Sequence, residues 1–230
     1  MLDGNIRTLS ILRDGYVGDP PQNINSYQDL LDYLNKLNAD WVVGMKRVSP
    51  KVLIELLEIT GREYCEFLQS LDPFADAAWS VAWAGEETSQ NWFHIAREYT
   101  EKWHHQQQIR LAVGKTHELY TREFYLPHLE TSMRALPYHY RNTKANENEG
   151  IQFIITGEGG GDWFLFFEGD SWQLVSELQK TPISKVIIDG EIAWRMFTKG
   201  ISRPEAQKRV IIEGNYELGN KIFDMLAVMA

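Results

Sequence analysis

The chain has 230 residues, 43% of them hydrophobic and 24% charged, the profile of a folded globular chain with room for one large domain or two modest ones. Thirty-two acidic against 23 basic residues give a formal charge of -9, a balance that repels phosphate backbones and anionic membranes, so neither nucleic acid nor a membrane is an expected partner. A single cysteine, Cys65, excludes an internal disulfide and any Cys-based zinc site within one chain. The start at Met1 lacks the basic-then-apolar pattern of a signal peptide, and no apolar run approaches the roughly 20 residues of a membrane span, so the expected compartment is the cytoplasm.

Leu2, Ile6, Leu9, Ile11 and Leu12 recur at near-helical spacing and predict a short helix over 2–13, followed by a loop punctuated by Gly15, Gly18, Pro20 and Pro21. Ser26 caps a helix carrying Leu30, Leu31, Leu34, Leu37, Trp41 and Val42; Ser49-Pro50 opens another through Val52, Leu56, Tyr64, Phe67 and Leu68. Cys65 lies in that apolar stretch and reads as a buried, inert thiol. Residues 73–85 read as a loop rich in Trp and Ala, Ser89 as the cap of a long helix reaching Val113, and Gly114 as its stop. A shorter helix is expected over 126–136. The run 141–150 keeps no apolar residue larger than Ala145 and is the best linker candidate. Beyond it, short β-branched and aromatic runs at 151–156, 163–168, 172–175, 185–189 and 209–213 read as strands, 191–198 as a helix and 218–228 as a final amphipathic helix. The expectation is a helical domain over 1–140, a linker over 141–150 and a small α+β domain over 151–230.

The helix over 89–113 carries the chemistry. His94, Glu98, Glu101, His105 and Gln108 step by four, three, four and three residues and share one face, opposite Trp92, Ile95, Ala96, Tyr99 and Trp103. A plain amphipathic helix with a wet side explains that pattern too, but two His and two Glu in register are unusual where Lys and Glu are the common choice. Glu101 and His105 are one turn apart, about 6 Å along the axis, and can reach a single divalent ion if another element supplies a third ligand. His94 is about 16 Å from His105 along the helix and cannot be that ligand. His104 points roughly 100 degrees away from His105 and is expected to be solvated or bonded to a nearby carbonyl.

The run NWFHIAREYTEKWHHQQQIR over 91–110 resembles the metal-helix signature of the DinB-like superfamily, in particular the mycothiol-dependent maleylpyruvate isomerase family. Glu101, Trp103, His105, Gln108 and Ile109 fill the places of that signature, with Gln where Asp is common. The tail VIIDGEIAWRMFTKG over 186–200, then IIEGN over 211–215, is similar to the small α/β domain that follows the bundle in such proteins.

The resemblance implies a four-helix bundle with a three-ligand site: a His on the second helix, plus Glu101 and His105. That first His precedes a Leu-Leu-Asp-Gly-like stretch in the family, and this chain opens at Met1-Leu-Asp-Gly4. The bundle is therefore expected to be N-terminally shortened, lacking the first helix and its His, with Asp3 or Asn5 as guesses for a substitute ligand. An absent helix would expose apolar bundle surface for a second copy of the chain to cover.

The activity implied is metal-dependent, thiol-cofactor-linked isomerisation or transfer on a small-molecule substrate, with Zn the first choice of ion and Ni, Mn or Fe the alternatives. Gln108 would orient a ligand by hydrogen bonding, and Arg110 and Arg195 would hold a carboxylate or the cofactor anion. A non-catalytic binding protein with a degenerate site, and a metal-dependent hydrolase, remain open beside this reading. Gly157 to Gly161 reads as a hairpin turn, since no Lys-Ser/Thr follows and the chain continues as a strand. Trp103 is assigned to packing, and His117, His128 and His139 to packing or surface roles.

Overall fold

The computed structural model describes residues 1–18, 20 and 24–228; Pro21, part of the expected loop after the first helix, lies outside the described residues. The chain is of the α+β class, helices with one five-stranded mixed sheet, and divides into two compact units, Met1–Ala78 and Trp79–Met229. The division falls well before the expected linker. No helix of the described residues is long and apolar enough to cross a membrane.

The first unit is helical. α1 (Leu2–Thr8) runs on into a π-helical turn, Leu9–Arg13, and packs along α3 (Pro50–Gln69). Asn5 Nδ2 donates to Thr60 Oγ1 at 3.4 Å, and Arg13 reaches Glu63 at 2.7 Å. α2 (Tyr27–Met45) and α3 start where Ser26 and Ser49 place them: each hydroxyl accepts from the backbone N–H three residues on, Asp29 at 3.1 Å and Val52 at 3.3 Å. Tyr64 and Leu68 are buried while Cys65, between them in sequence, is exposed. The expected buried thiol is thereby corrected, because one helical position turns a side chain about 100 degrees, here from the covered face of α3 to the open one.

In the second unit, α4 (Asn91–Ala112) packs against α5 (Arg122–Met133), and the short α6 (Leu136–Tyr140) lies against the sheet. Ser89 does not cap α4. Its hydroxyl accepts from Val81 N–H at 2.8 Å and donates to Glu86, tying the preceding loop instead. Gly114 takes the left-handed conformation (φ +69) that ends the helix, as only a residue without Cβ does freely. The strands are β1 (Gly150–Ile155), β2 (Gly161–Glu168), β3 (Ser171–Val175), β4 (Ser184–Ile188) and β5 (Val210–Gly214), in spatial order β3-β2-β1-β4-β5. β1 and β4 are parallel and the other pairs antiparallel. Gly157 and Gly160 close the β1–β2 hairpin.

Alternation along β1, β2 and β4 puts Ile151, Phe153, Ile155, Trp163, Leu165, Phe167, Val186 and Ile188 into one core. Leu129, Met133, Leu136 and Tyr140 join it from α5 and α6, as do Ile192, Trp194 and Phe197 from α7 (Gly190–Phe197). The α5–α7 helices are bolted on by buried hydroxyls: Tyr125 donates to Gly190 O at 2.7 Å and Tyr140 to Leu218 O at 2.9 Å. At Gly190 an added Cβ would stand 2.1 Å from the Thr156 carbonyl oxygen, so the β4-to-α7 turn admits no other residue without movement.

The polar run 141–150 is no free linker, because Trp172 Nε1 donates to Thr143 O at 2.7 Å and Asn148 N–H to Phe167 O at 3.0 Å. Loss of apolar side chains marks exposure; it does not stop the backbone from pairing with the sheet. After α8 (Arg203–Ala206) and β5, the expected terminal helix is cut short: α9 (Tyr216–Asn220) gives way to a 3-10 turn at Lys221–Asp224. Met225 is extended, and Ala227 N–H bonds to Phe197 O at 3.0 Å instead of closing another helical turn.

Candidate metal site

Glu101, His104 and His105 offer one ligand atom each within 4.8 Å of one another, a group that could hold a metal ion. Glu101 Oε2 and His105 Nε2 stand 3.6 Å apart. On the other side of the same ring, His105 Nδ1 meets Gln108 Oε1 at 2.9 Å. With that amide oxygen as the acceptor, Nδ1 is a protonated nitrogen, and in the neutral ring the Nε2 lone pair is then on the Glu101 side. Three residues, one turn apart along α4, thus line up as a carboxylate, an imidazole with a free lone pair and a partner that sets its tautomer.

The placing of His104 corrects the expectation of a solvated or carbonyl-bonded ring. It is 8% exposed, its ring is stacked 5.0 Å from that of His105 and tilted against that of Trp194 at 5.7 Å, and neither ring nitrogen has a hydrogen-bond partner. The 100 degrees between neighbours on a helix misled the expectation. Positions i+3 and i+4 both flank position i, and side chains lean toward the helix N-terminus, so His104 and His105 converge on Glu101 from either side.

Electrostatics at the cluster follow from partial loss of water. Burial pushes the Glu101 carboxyl above its ordinary range, an effect that His105 opposes. His104 is held down to about 4, first by burial and then by its neighbour His105, so it is a neutral imidazole at pH 7. A neutral imidazole with one free lone pair, a second imidazole and a carboxylate make a donor set suited to zinc and to the neighbouring divalent metals. The residues present therefore fit an ion.

The rest of α4 is less wet than its pattern implies. His94 is 1% exposed, with Nδ1 accepting from Arg97 at 2.9 Å and Trp79 edge-on at 5.8 Å, and burial followed by Arg97 lowers it to about 4. Trp103 is buried as expected, stacked 4.8 Å from Tyr125 and tilted against His128 at 4.3 Å. His128 is completely buried, and burial, then the charge of His104, lowers it to about 3. His117 is exposed, and His139 Nε2 lies 2.7 Å from Lys221 O.

The other site candidates have local partners. Arg110 bonds Glu118 at 2.8 Å and Lys115 O at 3.2 Å; Arg195 Nε donates to Gly200 O at 3.0 Å. Each guanidinium is engaged within its own segment. Asp3 pairs with Arg7 at 3.0 Å along α1. Clefts of about 440 and 320 Å³ occur at 143–149 with 215–221, and between Tyr120, Tyr125 and the turns 156–159 and 189–191; neither is lined by a member of the cluster. His104 is the candidate that sequence reasoning missed, and its signal was there: a residue three positions after Glu101 on a helix. No family model matches the chain, and no curated protein is significantly similar to it.

Proposed function

We propose that this chain holds a divalent ion on α4 through Glu101 and His105 and carries out thiol-linked isomerisation or transfer on a small molecule, as its resemblance to the DinB-like maleylpyruvate isomerase family implies. The observation that supports the ion is the 3.6 Å approach of Glu101 Oε2 to His105 Nε2, with Gln108 on the far ring nitrogen. When bound, an ion with an open coordination position supplies Lewis-acid activation of a thiol or water. The chain's own part is to present the donors: Gln108 keeps the proton of His105 on Nδ1, and the packed flank of Trp103 and Trp194 shields the inner side from water. Zinc is the first choice for one carboxylate with imidazoles; nickel, manganese and iron are the alternatives.

Metal analysis of protein purified without chelator tests the ion: near one equivalent is expected, lost in Glu101→Ala and His105→Ala. Product formed from a reactive electrophile only when a small thiol is added supports the transferase or isomerase reading; product without thiol replaces it with hydrolysis. A second reading, a non-catalytic binding protein, is favoured by the two clefts, since neither is lined by Glu101, His104 or His105. It predicts partner binding unchanged in the same two variants.

A further inference from the structure

Helix α4 carries one more imidazole than the pair Glu101 and His105 requires. His104 is nearly buried, is in hydrogen bond to nothing through either nitrogen, and offers a ring nitrogen within 4.8 Å of the Glu101 and His105 donor atoms. Buried polar groups are rarely left in that state without a water, an ion or another partner to satisfy them. His128 is also buried with both nitrogens unpartnered; what sets His104 apart is that two further donor atoms stand within 4.8 Å of its own.

We infer that His104 is the third protein ligand of the ion, so that α4 alone supplies a carboxylate and two imidazoles from positions i, i+3 and i+4 and leaves a fourth position open. The inference rests on the metal-site reading of Glu101 and His105 and adds a residue to it. Zinc bonds of about 2.0–2.1 Å put tetrahedral ligands roughly 3.4 Å apart. The Glu101–His105 approach of 3.6 Å already matches that spacing, and the His104 nitrogen, at most 4.8 Å from either donor atom, lies at most about 1.4 Å beyond it. No second helix is then needed to complete the protein's share of the coordination sphere. Of the two nitrogens of His104, one would take the ion and the other would face the aromatic side, where Trp194 lies 5.7 Å away.

The test uses the whole chain, stripped of metal and titrated with Zn²⁺ by calorimetry and with Co²⁺ by visible absorption. His104→Phe keeps the ring volume and removes both nitrogens; His104→Ala is its companion, and His117→Ala controls for loss of a surface histidine. The expected result is one site in the unsubstituted chain, affinity reduced by about 100-fold or more in both His104 variants, and loss of the intense tetrahedral Co²⁺ bands. His117→Ala should bind as the parent does. In the unsubstituted protein the ring-nitrogen NMR signals of His104 and His105 should both move on adding Zn²⁺, a readout that does not depend on how a variant folds.

Unchanged affinity and spectrum in His104→Phe, or movement of the His105 signal alone, overturns the assignment while leaving Glu101 and His105 as ligands. Failure of the parent chain to bind, or full binding by Glu101→Ala and His105→Ala, overturns the metal site as a whole.

Discussion

α2 and α7 are both amphipathic and are treated oppositely by the fold. α2 has 19 residues and a stripe of Leu30, Leu34, Leu37 and Trp41, yet none of its described side chains is buried; α7 has eight residues and buries six. α7 has the more sharply divided faces, but the larger difference lies in what each helix meets. α7 lies over a sheet whose inner face is Phe153, Leu165, Val186 and their neighbours, with Tyr125 donating to its first carbonyl. A stripe states which side of a helix would be buried; how deeply depends on what is there to meet it.

That contrast orders what substitutions and conditions should do. Trp194→Ala, in α7 and fully buried, should cost about 3–5 kcal/mol, read from urea unfolding followed by tryptophan fluorescence, to which seven of the eight tryptophans contribute from the second unit. Zn²⁺ at 100 times its dissociation constant should stabilise the second unit by about 2.7 kcal/mol, with hydrogen exchange slowed there and unchanged at α2; slowing at α2 alone would break the comparison.

Acid should also act on the second unit, which holds all six histidines. Burial lowers His94 to about 4 and His128 to about 3, whereas an unfolded histidine takes its proton near 6.5. Their stabilising contribution is therefore complete above pH 6.5 and declines as pH falls below it, by roughly 1.4 kcal/mol per pH unit for each ring, until about 4 for His94 and about 3 for His128. Unfolding midpoints measured from pH 7 to 5 check this, and His128→Phe should flatten the profile.

The first unit should respond less. Cys65, exposed on α3, should react with an aromatic disulfide reagent in the folded chain to one equivalent, at a rate that urea changes little. The smallest effect belongs to Val43→Ala on α2, where the side chain is 63% exposed: a shift in stability within about 0.5 kcal/mol.

Much of this was legible in the chain itself. Ser26 and Ser49 start their helices, the five strands stand within two residues of their expected places, and Glu101, His105 and Gln108 meet as their spacing implies. What failed did so where a local signal had a distant competitor. Ser89 looked like a helix cap and instead accepts from Val81; residues 218–228 looked like a helix until Phe197 claimed the N–H of Ala227; 141–150 looked like a linker and is pinned by Trp172 and Phe167. His104 stands about 100 degrees from His105 around the helix, yet it leans toward Glu101 from the i+3 position.

Sequence alone determined the features whose partners lie within a turn or two: the caps, the strand alternation and the carboxylate–imidazole pair on α4, because a helix fixes the distance between residues i and i+4 whatever surrounds it. Only the tertiary structure decided which faces are buried. His104 lost its water because Trp194, ninety residues on, comes to rest beside it, while Cys65 kept its exposure because α3 turns that side outward. Burial is set by whichever elements arrive from elsewhere in the chain, and no single helix encodes their arrival.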